Sequence, residues 1–244
     1  MIRLLATREL RSLFALPSTW LLLGVLQFLL AWSFLARLDA WLQVQSQLAQ
    51  LANPPGVTAT IAAPLLGMLA LLLMLLVPLF TMRAFAEERR NQTLVLLLSA
   101  PVTARQIVLG KFWGLFALFG GLILANLAMI ASLSLGTRLD GGLLASNLLG
   151  LLLLTASFLS VGLLVSVWTT QPLVAAIGGL AALLGLWLVD VTASDDTPVW
   201  HQFSPLWHFQ KFNNGLLDSA DLAYFALLTV LCLGLTCDRL RRQS

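Results

Sequence analysis

Two histidines are the side chains of this chain best suited to hold a metal ion. His201 and His208 are seven residues apart, so a continuous helix would place both rings on one face. Asp195 and Asp196 could add oxygen ligands nearby. Pro205 separates the histidines, however, and disfavours an unbroken helix. Packing of both rings at a membrane interface is the alternative. We favour that alternative, and the sequence predicts no metal site.

Nucleotide-binding and nucleophilic chemistry lack their motifs in this chain. Gly110-Lys111 resembles the end of a phosphate-binding loop, but Arg105 stands five residues before Gly110, where such a loop has a glycine. The motifs of serine hydrolases and zinc peptidases are absent from the sequence. Cys232 and Cys237 are five residues apart, on different faces of a helix, and predict apolar packing. We therefore predict no catalytic residue, no nucleotide site and no bound cofactor.

The composition identifies the environment of the chain. Of the 244 residues, 59% are hydrophobic and 10% are charged, against about 45–50% and about 25% in soluble domains. The mean hydropathy of +0.91 agrees. So few charges cannot cover the surface of a soluble protein of this size, whereas a lipid bilayer needs no charged surface. We expect an all-α membrane protein in one domain, residues 1–244.

Charge-free runs long enough to cross the hydrocarbon of a bilayer mark the membrane spans, since about 20 helical residues suffice. The 49 uncharged residues from Gly141 to Val189 are too many for one crossing, so Thr169 to Pro172 is predicted to be a turn. No acidic residue lies clearly inside a run, which disfavours a transporter coupled to protons or sodium ions. Six spans result, at about 17–36, 62–82, 111–135, 143–168, 172–189 and 219–237.

The basic residues predict the orientation of these spans. Six spans place both termini on one side of the membrane, and eleven of the fourteen lysines and arginines fall on that side. Basic residues are enriched on the cytoplasmic side of membrane proteins, so both termini are predicted to be cytoplasmic. The formal net charge of +3 is therefore a sign of topology, and no nucleic acid partner is expected.

Three segments do not span the membrane in this prediction. Residues 1–16 set Arg3, Arg8 and Arg11 among apolar side chains, which is typical of an amphipathic helix on the inner membrane surface. Residues 38–60 are predicted to form an outer loop with a short helix. Residues 190–217 are too aromatic for a solvated loop, so we expect short helices that dip into the outer leaflet and cap the passage. The capping residues are Trp200, Phe203, Pro205, Trp207, His208, Phe209, Phe212 and Gly215.

The segment between spans two and three has the form of a docking helix. A charged cluster at residues 87–90 precedes a short apolar run, which stops at Pro101 and restarts at Thr103. An ordinary interfacial linker is the alternative interpretation. The residues predicted to contact a partner are Glu87, Glu88, Arg89, Arg90, Thr93, Leu94, Leu97, Pro101 and Val102.

This segment resembles the signature of ABC-2-type transporter permeases. That pattern is close to A-E-E-(basic)-(basic)-x-G-T-L-E-L-L-L-x-(S/A)-P-V-x-x-x-x-I-V-L-G-K, with Gln92 and Val95 as departures in this chain. A second stretch, from Ser204 to Tyr224, is similar to the segment before the last span in the gliding-motility-like branch of that family. The signature residues matched are Glu87, Glu88, Thr93, Leu94, Pro101, Val102, Ile107, Gly110 and Lys111.

The resemblance implies the membrane subunit of an ATP-driven exporter in a bacterial inner membrane. It implies two permease subunits, identical or paralogous, each on a separate cytoplasmic ATPase subunit that binds ATP and magnesium. It also suggests an auxiliary membrane component. The alternative is a membrane scaffold that transports nothing. Few polar side chains occur in the spans, which favours an amphipathic or lipid-linked cargo.

Overall fold

The structure is a computed structural model, and it describes residues 1–48, 56–90, 92, 102–192 and 201–242. Within these ranges the chain is helical and contains no strand, which confirms the predicted fold class. Two short helical turns, at Thr58–Ala62 and Ser132–Leu135, adjoin the longer helices. The α-helices are α1 (Ile2–Ala15), α2 (Pro17–Leu48), α3 (Ala63–Arg90), α4 (Ala104–Ala131), α5 (Gly141–Trp168), α6 (Pro172–Thr192), α7 (Pro205–Asn213) and α8 (Ser219–Arg241).

Six of these helices, α2 to α6 and α8, are long and apolar enough to cross a membrane. The predicted turn between the fourth and fifth spans is present, because α5 ends at Trp168 and α6 begins at Pro172. Proline at the first position of α6 costs no helical hydrogen bond, since the first amides of a helix have no partner within it.

The first membrane helix is longer than the charge pattern predicted. The apolar run ends near Ala36, yet α2 continues through Arg37 and Asp39 to Leu48. A charged residue ends a hydrophobic run without ending a helix, and the first helix-breaking pair, Asn53-Pro54, comes later. Residues 38–48 therefore continue the membrane helix, where an outer loop with a separate short helix was predicted, while residues 49–55 lie outside the described residues.

Helices α3 and α5 form the centre of the bundle. Both are 61% buried over their most apolar stretch, against 17% for α2 and 22% for α6 and α8. Small residues allow the two central helices to approach closely. A Cβ atom added at Gly162 of α5 would overlap the side chain of Thr81 in α3. Ser166, one turn further along α5, accepts hydrogen bonds from the backbone N–H groups of Phe85 and Ala86.

The amphipathic helix α1 packs against α4. Gly110 and Gly114 of α4 are four residues apart and face α1, a spacing that lets two helix backbones come close together. A Cβ atom at position 110 would lie 2.5 Å from the Cβ of Leu5, and one at position 114 would lie 3.1 Å from the carbonyl oxygen of Ala6. Gly110 and Gly114 therefore form the surface of α4 on which α1 packs.

At the other end of the bundle, α7 packs into a shallow notch of α5. Ser146 and Gly150 form the notch: the Ser146 hydroxyl donates to the carbonyl oxygen of Phe212 at 2.8 Å, and a Cβ at position 150 would lie 2.6 Å from the Cβ of Phe212. Phe209 and Phe212 are both buried. Of the aromatic side chains predicted to avoid water, Phe209 and Phe212 are thus covered by the bundle, whereas Phe203 is 54% exposed.

Candidate functional site

A buried lysine joins three helices near the N-terminus of the chain. Lys111 of α4 donates to Oε1 of Glu88 in α3 at 2.7 Å and to Oε2 of Glu9 in α1 at 3.4 Å. Its side chain is 7% exposed, and its ammonium group also lies 5.4 Å from the centre of the Phe85 ring. A buried ammonium group needs ionised partners, and here these come from two different helices. We call Lys111, Glu9 and Glu88 the lysine cluster.

The two adjacent glutamates of the predicted docking segment differ in their surroundings. Glu88 turns toward Lys111 and is half-buried, whereas Glu87 is exposed at the last turn of α3. Arg89 is half-buried and Arg90 exposed. Glu87 and Arg90 are therefore the charged side chains of this stretch that a partner could reach most directly.

The end of the docking segment begins α4. Thr103 caps the helix: its hydroxyl oxygen accepts from the Gln106 N–H, and the Gln106 side chain accepts from the Thr103 N–H. This reciprocal pair satisfies two amides at the start of the helix. Val102 is half-buried just before it. The remaining predicted contact residues, Thr93, Leu94, Leu97 and Pro101, lie outside the described residues.

A second buried cluster fixes α7 to the start of α8. Asp221 is fully buried, and its Oδ1 atom lies 2.5 Å from Nδ1 of His208 and 3.0 Å from Nζ of Lys211. The second ring nitrogen of His208 lies 2.9 Å from the carbonyl oxygen of Gln202. We call Asp221, His208 and Lys211 the aspartate cluster. One buried carboxylate thus holds two side chains of α7.

Aromatic rings enclose the aspartate cluster. The Tyr224 ring stacks on His208 at 4.0 Å between centroids, and its hydroxyl donates to the carbonyl oxygen of Phe203 at 2.7 Å. The ammonium group of Lys211 lies 3.9 Å from the centre of the Trp207 ring, within the range of a cation–π contact. These contacts keep water away from Asp221 and give the histidine a structural role.

The histidines do not form a metal site with other described residues. No group of three or more histidine, cysteine or carboxylate side chains suited to a metal occurs in the described part of the chain. His201 lies before Pro205, where α7 begins, so the two histidines are not on one continuous helix. Asp195, Asp196 and the predicted capping residue Trp200 lie outside the described residues.

The other predicted residues lie at the ends of α7 or on the exposed surface of α1. Pro205 is the first residue of α7, where Ser204 caps the helix by accepting from the N–H of Trp207. Gly215 has a positive φ of 80°, a backbone conformation that glycine adopts at no steric cost, and it ends the turn after α7. The three basic residues of α1, namely Arg3, Arg8 and Arg11, are exposed.

Ionic side chains thus gather at the two ends of the bundle. Arg83 donates to Ser18, Lys111 binds Glu88, and Arg239 lies 5.1 Å from the centre of the Trp168 ring. These contacts bring the termini of the chain, the end of α3 and the start of α4 to one end, which we call the arginine-rich end. The aspartate cluster lies at the opposite end.

This arrangement defines a class of protein, a helical multi-pass membrane protein with its ionic clusters at the helix ends. The family model of ABC-2 family transporter proteins matches residues 4–234, nearly the whole length, and the chain therefore belongs to that family. The chain is thus a membrane permease component of an ABC transporter, and the family associates with an ABC ATPase partner. No curated protein matches the chain.

Two features of the site were not predicted from sequence. From sequence, Lys111 is recognisable only as the end of a motif, and nothing singles out Asp221 as the centre of a cluster. A lysine within a long apolar run is costly in lipid unless it is paired, so its position was a usable signal for an inward-facing ionic contact. Glu88 and Asp221 gave no comparable signal, because each lies near a helix end where charges are common. Glu9 gave none because it lies in the amphipathic helix α1, where charged side chains are expected.

Proposed function

We propose that this permease component belongs to an ATP-driven exporter and is driven by a separate cytoplasmic ATPase that docks on the segment from Glu87 to Val102. The ATPase subunits bind ATP and magnesium, and this chain binds neither. Closure of the ATPase around ATP moves the docking segment, and the membrane helices respond as rigid bodies. The proposal explains how a transport component without a recognisable nucleotide-binding motif can be driven by ATP.

The lysine cluster is the observation that best supports this coupling. The proposed docking segment connects the end of α3 to the start of α4, and Lys111 ties both helices to α1 through Glu88 and Glu9. A displacement applied to the segment would therefore reach three helices together. A flexible linker would move without them, because coupling between sites is carried by packed side chains and ionic contacts.

A second permease subunit, identical or paralogous, is part of the proposal. Helix α2 exposes Trp20, Phe28 and Trp32 at 60–67% of their surface. Large apolar surfaces of membrane helices are covered either by lipid or by other helices. The second subunit would take over part of this surface, so that the passage lies between two chains.

The stretch from Ser204 to Tyr224 supports assignment to the gliding-motility-like branch and to an outer cap. In this proposal α7 closes the passage at the end opposite the ATPase, with an auxiliary membrane component beside it. The aspartate cluster would hold α7 in place while the passage opens at the arginine-rich end. The location that follows is a bacterial inner membrane, with both termini in the cytoplasm.

Co-expression with a cognate ABC ATPase tests the proposal. The expected result is a detergent-stable complex of two permease and two ATPase subunits, whose rate of ATP hydrolysis differs from that of the ATPase alone. An ATPase that neither co-purifies nor changes its rate would contradict the proposal. A catalytically inactive ATPase carrying a substituted Walker B glutamate provides the background rate.

A further inference from the structure

A recess lies between α3, α6 and α7, at the end of the bundle that carries the aspartate cluster. It has a volume of about 460 Å³, and ligand sites in proteins are commonly about 300–1,000 Å³. Its polar lining consists of three amide side chains at the end of α7, namely Gln210, Asn213 and Asn214, which face Gly67 of α3 and Trp187 of α6. We call this space the amide recess. None of its described lining residues belongs to the lysine cluster or to the aspartate cluster.

One side of the amide recess is apolar and continues to the lipid-facing surface of the bundle. Leu206 and Phe209 of α7 line the recess and are buried in the core. Leu71 lines it as well, one turn further along α3 than Gly67, and is 44% exposed. An exposed leucine on a membrane helix is in contact with hydrocarbon. An acyl chain of the bilayer can therefore reach the recess along Leu71.

A glycine leaves room for the amide recess. A Cβ atom added at Gly67 would lie 3.6 Å from Nδ2 of Asn213, which is an ordinary contact distance. A side chain at this position would therefore point across the recess toward α7. A residue larger than alanine would occupy part of the recess, so the space can be filled by a substitution that leaves all charges unchanged.

The described residues that line the amide recess carry no charge. Lys211, next to Gln210 in the chain, turns to the aspartate cluster instead, with its ammonium group 3.0 Å from Oδ1 of Asp221. A charged ligand group would therefore leave water for a site without a counter-charge, at a cost in free energy that an uncharged group avoids. The recess favours an uncharged headgroup.

The polar side of the recess suits a ligand that carries hydroxyl groups. Amide side chains offer both hydrogen-bond donors and acceptors, and a hydroxyl group can pair with either. Gln210 and Asn214 are exposed and so can reach a ligand. The Oδ1 atom of Asn213 is buried and has no hydrogen-bond partner in the described part of the chain, which costs free energy until a donor is supplied. Trp187 lies in the last two turns of α6, where tryptophan rings meet lipid headgroups.

We infer that the amide recess binds the uncharged sugar headgroup of a membrane glycolipid, with the sugar between Trp187 and the amides of Gln210 and Asn214. An acyl chain of the lipid follows Leu71. A sugar ring carries hydroxyl groups at its rim, which pair with the amides, and C–H groups on its faces, which pack against the electron-rich face of the indole ring. Diacylglycerol would leave most of these amides unpaired, and a phospholipid would bring an unmatched charge. The binding is a property of this chain alone and does not depend on an ATPase.

Native mass spectrometry of the purified full-length chain tests the inference, in a polyoxyethylene detergent that carries no sugar. The probes are monoglucosyldiacylglycerol, diacylglycerol and phosphatidylglycerol, all with the same acyl chains. The wild-type chain should retain the glucosyl lipid at least about fivefold better than either of the others, a ratio that one additional hydrogen bond can supply. Retention of diacylglycerol or phosphatidylglycerol equal to that of the glucosyl lipid would overturn the inference.

Two recess variants and one control locate the binding site. Gln210→Ala with Asn214→Ala should abolish the preference for the glucosyl lipid, and because both side chains are exposed, the packed core stays intact. Gly67→Leu should reduce retention of that lipid by filling the recess. The control, Gln171→Ala with Gln202→Ala, removes two exposed amides outside the recess and should keep the preference. If the control loses the preference as fully as the recess pair, or if either recess variant binds like the wild type, the inference is overturned.

Discussion

The Nζ atom of Lys111 lies 2.7 Å from Oε1 of Glu88, so a lysine in the second turn of α4 is held by the last turn of α3. The same ammonium group reaches Glu9 of α1. Three helices that are far apart in sequence therefore share one buried charge. The proposed docking segment is therefore held at both ends, because this ion pair joins the helix before it to the helix after it.

Replacement of Lys111 by methionine should destabilise the protein. The substitution retains the length of the side chain but removes the ammonium group that Glu9 and Glu88 both contact. We expect a loss of at most about 3 kcal/mol, because Glu9 and Glu88 are partly exposed and water compensates part of the lost charge. Thermal unfolding of the purified chain in detergent measures the change. Lys111→Arg, which keeps the charge, should lose less; an equal loss would show that charge is not what matters at this position.

Alanine at Gly110 should separate α1 from α4. The new Cβ would overlap Leu5, and overpacking of this kind costs about 1–3 kcal/mol. Gly120→Ala in the same helix is the matched control, because its Cβ would meet no atom within 4 Å. The control should be neutral or more stable, since alanine is the better helix former by about 1 kcal/mol. Thermal unfolding distinguishes the two variants. Similar effects of both would argue against close packing of α1 on Gly110.

Asparagine at Asp221 should loosen α7. The substitution keeps the shape of the side chain but removes the charge that binds His208 and Lys211, at an expected cost of about 3 kcal/mol. This figure is the lower end for a buried ion pair, because Lys211 remains partly exposed. Asp218→Asn retains a good helix cap and should change stability little. Limited proteolysis between α7 and α8 measures how far α7 detaches. Equal cleavage of the two variants would contradict the role of Asp221 in holding α7 to α8.

Labelling from outside the cell tests the predicted orientation. In a background with Cys232→Ser and Cys237→Ser, the variants Asp218→Cys and Arg90→Cys each introduce one exposed site, at opposite ends of the bundle. A membrane-impermeant maleimide should label the first variant in intact cells and the second only after lysis. Labelling of Arg90→Cys alone in intact cells would reverse the topology.

The helices were predictable because lipid imposes a simple rule on sequence. A run of about 20 uncharged residues has few alternatives to a membrane helix, and all six such runs are helices in the structure. The end of α2 was not predictable in this way, because Arg37 and Asp39 end the apolar run but are compatible with a helix. Hydrophobicity indicates which residues lie in the hydrocarbon of the bilayer, whereas helix-breaking residues indicate where a helix ends.

The candidate site was harder to predict, since it depends on which side of a helix faces a neighbour. Glu87 and Glu88 have the same chemistry and adjacent positions, and only the packing of α1 and α4 makes Glu88 an internal partner of Lys111. The contact between His208 and Asp221 likewise needs the turn that reverses the chain between α7 and α8. The resemblance to ABC-2 permeases is confirmed by the family match, whereas its finer branch and the docking role stay predictions.

The central claim is that an ATPase docks at the exposed end of α3, and charge reversal at Glu87 tests it most directly. Glu87→Arg should weaken association with the co-expressed ATPase about tenfold, or about 1.4 kcal/mol, and should lower the permease-dependent change in ATP hydrolysis. Glu87 is exposed, so the variant should retain the unfolding temperature of the wild type. Asp218→Arg, the same reversal at the opposite end, should leave association unchanged. Wild-type affinity and wild-type hydrolysis in Glu87→Arg, or equal losses in both variants, would contradict docking at this site.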